Sequence, residues 1–268
     1  MMRFLNLMVF LSVAARLGES NVCPNQQTSV LVEGEYKCVD IKTKKCVRYE
    51  DRPSETIYQR NISTYLIAHY AFESNVNDTS GNSRHGVIEG NNYDYTPTGI
   101  IGAALNLSGT TRVLVTSFEN FDYGSELSAS LWFMTYNQTL SPMGLLNNGF
   151  KTSGTWEIRT RAGYHQLTAS VSYPPAAYAE LPFNYDEWQH VAMTYNGTEL
   201  LFYLNGVMQP AVAGTSCCSG PIVTSPNRVT IGQMGVGRND RYFLGLMDEV
   251  KLFNISLTPE EVLSLFNV

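Results

Sequence analysis

The chain has 268 residues, of which 44% are hydrophobic and 12% aromatic, and its formal net charge is −6 at pH 7. This length suits one all-β domain of about 200 residues with a smaller segment beside it, and the apolar fraction is sufficient for a packed core. The acidic balance argues against nucleic-acid binding, because phosphate contacts need an excess of Lys and Arg.

Residues 1–20 have the pattern of a secretory signal peptide. Arg3 gives a positive start, residues 4–13 form an apolar run, and Gly18 and Ser20 place small residues before a cleavage site after Ser20. Ala15 marks an alternative cleavage site. The other interpretation, a membrane anchor, needs a longer run to span a bilayer of about 30 Å. We therefore expect a secreted, extracellular protein, whose mature chain has 16 basic against 23 acidic residues and a charge of −7.

Residues 21–62 form a small cysteine-containing segment that differs in composition from the rest of the chain. Its interleaved Lys, Asp and Glu residues indicate a solvated face. Residues 35–41 and 45–50 suggest a hairpin stapled by Cys38 and Cys46. An extracellular setting predicts disulfides among the five cysteines of the mature chain, which are Cys23, Cys38, Cys46, Cys217 and Cys218. Because five is odd, one thiol stays free or joins a partner chain as a covalent dimer, and the pairing stays open.

From about residue 65, short alternating segments recur with turn signals between them, which is typical of an antiparallel sandwich or barrel. The predicted strands are 66–72, 85–89, 104–107, 112–116, 127–135, 155–161, 166–173, 187–195, 200–205, 228–231 and 243–253. In the strand at 200–205, Leu200, Phe202 and Leu204 share one face, and Leu201 and Tyr203 share the other. Asn205-Gly206 then predicts a tight hairpin turn.

A short helix is predicted at the end of the chain. Thr258 is a natural N-cap, Pro259 suits the first helical position, and Glu261 completes a capping box. The apolar face of this helix is expected from Val262, Leu263, Leu265 and Phe266.

Asn-x-Ser/Thr sequons support the secretory interpretation, since glycans are added in that pathway and must face solvent. The six candidate glycosylation sites are Asn61, Asn77, Asn106, Asn137, Asn196 and Asn254.

Five blocks of residues, in this order along the chain, resemble a known family. They are HYAFESNVNDTSGNSRHG (69–86), SASLWF (128–133), EWQHVAMTY (187–195) with LFYLNG (201–206), VTIG (229–232) and FLGLMDEV (243–250). Together they resemble the laminin-G-like jelly-roll domains of the concanavalin-A-like lectin/glucanase superfamily, which also includes the pentraxins. The resemblance covers residues 65–268. It implies an all-β fold for residues 63–268, with two antiparallel sheets in a jelly-roll sandwich and a short C-terminal helix.

The resemblance also implies a structural calcium site between the opening acidic loop and the Asp-Glu-Val block. The matching side chains are Glu73, Asp78 and Asp248, with Asn75 and Asn82 as helpers. Calcium prefers carboxylate, amide and carbonyl oxygens, and segment 73–82 is rich in them. An ordinary Asx-rich turn is the alternative. The phosphate-binding double calcium site of the pentraxins has no residue-by-residue match.

An enzyme of the glucanase type needs two facing carboxylates, which its relatives carry as Glu-x-Asp-x-Glu or Glu-x-Asp-x-x-Glu on one strand. No predicted strand has that spacing. Asp248 and Glu249 are adjacent, and in a regular strand they would point to opposite faces. His69, His85, His165 and His190 are expected to be structural, and no histidine accompanies a nucleophile motif. Trp132 and Trp188 are expected to anchor the core. We predict that the protein catalyses nothing.

Sugar binding would use exposed aromatic side chains. The candidates lie at 93–95, Tyr164, Tyr173, Tyr178 and Tyr185, with the loop from Tyr173 to Tyr178 preferred. The leading interpretation is a secreted, lectin-like binding or adhesion glycoprotein for extracellular glycans or matrix proteins. The alternatives are a structural component of a mineralised or cuticular extracellular matrix and a glycoside hydrolase.

Overall fold

The computed structural model describes residues 27–32, 35–40, 60–136, 142–150, 152–161, 165–172, 177–209, 220–235 and 241–268. The chain divides into two compact units, Met1–Arg60 and Asn61–Val268. The predicted signal peptide, Cys23, Cys46, Cys217, Cys218, Asn137, Tyr164 and Tyr173 lie outside the described residues.

The described residues of the first unit form an antiparallel pair of β1 (Gln27–Val32) and β2 (Glu35–Asp40). Cys38 lies opposite Ser29 in this pair. The sequence indicated a pairing of residues 35–41 with the segment that follows them, whereas the described partner precedes them. The expected second strand at 45–50 lies outside the described residues.

The second unit is a sandwich of two antiparallel sheets with one short helix, which confirms the predicted fold class. Its elements are β3 (Leu66–Tyr70), β4 (Val87–Glu89), β5 (Tyr93–Thr96), β6 (Ala104–Ser108), β7 (Arg112–Val115), β8 (Leu127–Met134), β9 (Gly144–Asn147), β10 (Thr155–Thr160), β11 (Gln166–Ser172), β12 (Ala177–Pro182), β13 (Gln189–Tyr195), β14 (Leu200–Leu204), β15 (Val207–Gln209), β16 (Val229–Ile231), β17 (Leu244–Phe253) and α1 (Pro259–Phe266). Two short 3-10 turns, Ile62–Tyr65 and Thr116–Phe118, join them.

Strand order places the first and last strands of the second unit side by side in one sheet. The seven-stranded sheet runs β12-β11-β10-β9-β16-β7-β4. The eight-stranded sheet runs β15-β14-β13-β8-β17-β6-β5, and β3 pairs with β17 beside that path. β17 is thus the neighbour of β3, β6 and β8.

The main core lies between the two sheets, because alternate residues of each strand point inward. β14 shows the pattern that the sequence predicted. Leu200 and Phe202 are buried in the main core, whereas Tyr203 and Leu201 pack in a second cluster with α1. Asn205 and Gly206 both have positive φ, 50° and 75°, which is the backbone of the predicted hairpin turn.

α1 begins with the capping box that the sequence predicted. Thr258 accepts the N–H of Glu261, and the Glu261 side chain accepts the N–H of Thr258. Val262 and Leu265 are buried against the eight-stranded sheet. The prediction was wrong for Leu263, which is exposed.

The tryptophans are arranged differently from the expectation. Trp156 is the fully buried tryptophan of the main core. Trp132 is buried on the outer side of the eight-stranded sheet, where it stacks on Phe266 of α1. Trp188 is only half-buried, so its predicted role as a core anchor was wrong. Trp188 immediately precedes β13, so it lies outside the regular strand whose alternating pattern predicted burial.

Candidate functional site

Asp78 organises the loop after β3. Its Oδ1 accepts the N–H groups of His69 and Ser80 at 2.9 Å, and its Oδ2 accepts the N–H of Arg84 at 2.9 Å. Burial would raise the pKa of Asp78, but the bonds from Ser80, Arg84 and His69 outweigh it and hold the pKa below its ordinary value. His85 accepts the N–H of Asp78 through Nδ1. The carboxylate and the backbone N–H of Asp78 therefore both hold this loop in place.

Glu73 and Asp248 hold one further loop, the turn that leads into β6. Asp248 Oδ2 accepts the N–H groups of Ile100 and Ile101 at 2.7 and 3.1 Å. Both carboxylate oxygens of Glu73 accept the N–H of Ala103, at 3.2 and 3.1 Å. Two of the predicted metal ligands thus meet at this turn and bind its backbone.

The two helper residues brace the same region. Asn75 donates to the carbonyl of Glu73 at 2.7 Å and accepts the N–H of Asn77 at 2.8 Å. Asn82 donates to the carbonyl of Leu66 at 3.0 Å. Both amides therefore hold local backbone.

A β-bulge changes the geometry of Asp248 and Glu249. The pairing of β17 with β8 shifts register after Asp248, and Glu249 has a φ of 51°. Met247 and Val250 both lie in the main core, so the two acidic residues between them do not alternate. The prediction that they occupy opposite faces was wrong, because it assumed a regular strand.

The two adjacent carboxylates differ in their surroundings. Burial raises the pKa of Asp248 to about 6, although three backbone N–H groups oppose the shift. Burial would also raise the pKa of Glu249, but the hydrogen bonds from His69 and Lys251 and the charges of these two residues together outweigh it and lower the pKa to about 2. His69 Nε2 lies 3.1 Å from Glu249, and its Nδ1 lies 2.9 Å from Thr79. Both acids are occupied by contacts within the protein.

The arrangement does not fit a calcium cage. Calcium takes six to eight oxygen ligands around one point, whereas the carboxylates of Glu73, Asp78 and Asp248 accept backbone N–H groups. In the part of the chain that the structure describes, no group of three or more His, Cys, Asp or Glu side chains is placed to hold a metal ion. Calcium binding stays a prediction from the resemblance.

A second polar region lies on the outer face of the seven-stranded sheet. We call it the polar strip, and it consists of Glu157, Arg159, Thr168, Ser170 and Glu180. The inward residues of the same strands, such as Trp156 and Ile158, belong to the main core, so the strip faces away from it. In register, Glu157 pairs with Ser170, Arg159 with Thr168, and Thr168 with Glu180. Three adjacent strands therefore contribute to one surface.

The polar strip contains several hydrogen-bonding side chains. Glu157 Oε1 accepts from Arg159 Nε at 3.0 Å and from Ser170 Oγ at 3.1 Å. Thr168 is 3% exposed, and its hydroxyl has no hydrogen-bond partner among the described residues. The ring of Phe150 lies 5.6 Å from the guanidinium carbon of Arg159. Polar groups beside an aromatic ring are the usual elements of a ligand site.

Charges on this sheet are balanced in pairs. Arg159 pairs with Glu157, and Arg161 pairs with Glu180. The other two described arginines paired at this sheet are Arg112 with Glu89 and Arg228 with Glu119. The strip thus offers neutral hydrogen-bonding groups and compensated charges.

The sugar-binding aromatics predicted from the sequence are scattered. Tyr93 and Tyr95 lie on β5, an edge strand, with their rings in a T-shaped contact 6.1 Å apart. Tyr185 packs on Phe183 and His165. Tyr178 is opposite Ser170 in backbone register, next to the polar strip. Glu157 was not predicted from the sequence, because its partner Ser170 lies on a neighbouring strand and alternation does not show which strands pair.

Among the described sequons, Asn61, Asn77, Asn196 and Asn254 are exposed, and Asn106 is half-buried on β6. Asn61 and Asn196 cap turns, and each accepts a hydrogen bond from the hydroxyl of its own sequon.

Comparison with known proteins identifies the fold family. A family model of the laminin G type, described as the concanavalin A-like lectin/glucanases superfamily, matches residues 107–263, more than half of the chain. The chain belongs to this superfamily. The match confirms the resemblance drawn from the five sequence blocks, four of which lie wholly or mainly within it. No curated protein matches the chain.

Several solved structures share the fold at low identity. Domain 4 of AbnA, a GH43 extracellular arabinanase from Geobacillus stearothermophilus in complex with arabinotriose, has a TM-score of 0.61 and 22% identity, covering 75% of this chain and 97% of that domain. The binding domain of Paraclostridial Mosquitocidal Protein 1 has a TM-score of 0.59 and 18% identity. The binding domain of botulinum neurotoxin DC in complex with SialylT has a TM-score of 0.55 and 19% identity. For each toxin domain the match covers 77% of this chain and 52% of the toxin chain, so this chain spans about half of their length.

Among the described residues, no helix has the length and apolar composition needed to cross a membrane.

Proposed function

We propose that this protein is a non-catalytic glycan-binding module and that the polar strip is its binding surface. The observation that supports the proposal is the set of polar side chains that β10, β11 and β12 place on the outside of a sheet beside Phe150. Three of them are buried and Arg159 and Glu180 are partly exposed. Hydroxyl-rich ligands suit such a surface, because each sugar hydroxyl both donates and accepts. The fold relatives crystallised with arabinotriose and SialylT support a carbohydrate ligand.

The charge pairs of the strip favour a neutral glycan. An anionic sugar would need a cation that is not already compensated, and Arg159 and Arg161 are each bound to a glutamate. Separating such a pair to bind a carboxylate would leave the glutamate without its cation in a buried place, which is costly. We therefore expect neutral sugars to bind and sialylated sugars to be disfavoured.

The same pairs argue against hydrolysis. Retaining glycosidases hold two carboxyl groups about 5 Å apart. Glu157 and Glu180 lie on β10 and β12, which are separated by β11. They are also offset along the strands, because Glu157 is opposite Ser170 and Glu180 is opposite Thr168. Each carboxylate is also engaged by an arginine.

The test is binding of the secreted full-length protein to an immobilised glycan panel with matched neutral and sialylated members. Thr168→Val removes the hydroxyl at nearly constant volume and should weaken binding roughly tenfold, the loss expected for about 1.4 kcal/mol. Thr96→Val, on a strand of the other sheet, is the matched control and should bind as the wild type does.

Other outcomes would contradict the proposal. Equal loss in both threonine variants would place the site elsewhere. Preference for sialylated over neutral members would contradict the charge argument, and absence of any binding would favour the matrix component. Release of reducing sugar from β-glucans or arabinans, lost in Glu157→Gln, would make the protein a hydrolase.

A further inference from the structure

The sequon at Asn106 occupies an unusual place, in the middle of β6. Leu105 and Leu107 on either side of it are buried in the main core, so Asn106 faces the outside of the eight-stranded sheet. Its register neighbours are Asp94 on β5 and Leu246 on β17. A sugar attached here would lie flat against the sheet, unlike one attached at a turn.

Tyr136 is positioned beside this asparagine. Its hydroxyl donates to Asn106 Oδ1 at 3.1 Å, and 44% of Tyr136 is exposed. N-glycosylation joins Nδ2 to the sugar C1, releases one Nδ2 proton and breaks the bond from C1 to the pyrophosphate lipid carrier. The amide oxygen is retained, so the hydrogen bond from Tyr136 is compatible with the modification. The phenol ring then borders the first sugar, which suits a residue with an apolar face and a polar tip.

Apolar surface lies on the side of Asn106 that faces β17, opposite Asp94. Leu246 pairs with Asn106 on one side and with Met134 on the other, and both apolar residues are partly exposed. At the opposite end of this face, comparable apolar side chains such as Phe253 are covered by α1.

We propose that Asn106 carries an N-linked glycan whose innermost sugar packs on Tyr136, Leu246 and Met134. The sugar covers this end of the sheet, as α1 covers the other end. Asn196 provides the contrast. It lies in an exposed turn, where its Oδ1 accepts from the backbone and hydroxyl of Thr198, so a glycan there projects into solvent.

The experiment compares two ways of losing one sugar chain from the full-length protein secreted by eukaryotic cells. Ser108→Ala removes the Asn106 sequon and keeps both Asn106 and its bond to Tyr136, and Thr198→Ala removes the Asn196 sequon as the matched control. Mass spectrometry measures occupancy, and thermal unfolding measures stability. We expect Asn106 to be occupied and Ser108→Ala to lower the midpoint by about 2–4 °C, whereas loss of the Asn196 glycan has less effect. Trimming the wild type to a single residual sugar should preserve its midpoint.

Tyr136→Phe and Tyr136→Ala test whether the sugar at Asn106 packs on the Tyr136 ring or is attached without contacting it. Tyr136→Ala should lower the midpoint of the glycosylated protein more than it lowers the midpoint of the Ser108→Ala variant. In the Ser108→Ala variant no sugar is attached at Asn106, so the Tyr136 ring has no sugar contact to lose. Tyr136→Phe keeps the ring and should retain most of the coupling. An unmodified Asn106, equal effects of the two sequon variants, or strictly additive effects of Tyr136→Ala and Ser108→Ala would overturn the proposal.

Discussion

His190 is a buried base that lies between the eight-stranded sheet and α1. It is 1% exposed, and its ring lies 5.3 Å from that of Trp132 and 6.2 Å from that of Phe266. Burial and the nearby charge of Lys251 lower its pKa to about 3. The imidazole is therefore neutral and packs between aromatic rings. Lowering the pH should destabilise the protein because this buried ring resists protonation.

His190→Gln should flatten the acid limb of the stability profile. Below pH 6.5 the unfolded chain binds a proton at His190 that the folded protein does not accept until about pH 3. The contribution of His190 to the unfolding free energy of the wild type thus falls by about 1.4 kcal/mol per pH unit in that window, and it is constant above it. Urea unfolding at pH 7.5, 6 and 5 measures the difference between wild type and variant. His165→Gln, at an exposed position, is the control, and parallel profiles for wild type and His190→Gln would contradict the prediction.

Asp248→Ala should destabilise the protein even when calcium is absent. Three backbone N–H groups lose their charged acceptor in a place that is 0% exposed, so we expect a cost of about 2–4 kcal/mol. Thermal unfolding in EDTA measures this cost. The same scan with added calcium tests the predicted ion, since a bound ion raises stability by about 2.7 kcal/mol at a hundredfold excess over its dissociation constant.

The two results are independent. A calcium-dependent rise in the wild type that Asp248→Ala abolishes would support a calcium site that forms by rearrangement of the loop. No effect of Asp248→Ala in EDTA would contradict its role in holding the turn at residues 100–101.

At the level of single elements, the structure is most predictable where the signal is local. The capping box of α1 and the turn at Asn205-Gly206 depend on residues within four positions of each other, and both were predicted. The four strands β5, β9, β12 and β15 were missed in the second unit. β9 and β15 are short segments beside glycine, and β12 starts in a stretch whose prolines indicated a loop. β5 is a four-residue edge strand, too short for alternation to distinguish it from a loop.

The backbone geometry at Asp248 and Glu249 depends instead on contacts between distant segments. The bulge at Glu249 depends on how β17 fits against β8, which is more than a hundred residues earlier in the chain, so alternation alone could not predict it. The polar strip likewise unites residues from three strands by register. The sequence supplied the identities of these residues but no information about which strands are neighbours.

Thr258→Ala tests how far the terminal helix depends on its cap. The variant loses the side-chain acceptor for the N–H of Glu261, so we expect a loss of about 1 kcal/mol. For a domain of this size that corresponds to about 2–4 °C in the unfolding midpoint. Ser264→Ala, on the exposed side of α1, serves as control, and a midpoint unchanged by Thr258→Ala would show that packing alone fixes the helix.

At the scale of the whole molecule, both hydrophobic clusters found among the described residues lie within residues 61–268. We therefore expect this part, expressed alone, to unfold in one cooperative transition close to that of the full chain. Calorimetry of both proteins under the same conditions measures it. A broad transition, or a midpoint lowered by more than a few degrees, would mean that the first unit is needed for stability.

The position of β17 also governs when the protein can become folded. β17 follows the other strands of the second unit in the chain, yet it is the shared neighbour of β3, β6 and β8. Asp248 accepts the backbone N–H of Ile100, which is 148 positions earlier. Pairings between such distant segments slow folding, because a long loop must close before any contact forms. During synthesis the backbone N–H and C=O groups of β3, β6 and β8 that pair with β17 therefore stay unpaired until β17 has been made. A ribosome that stopped before residue 244 would release a chain that lacks the central strand of its larger sheet.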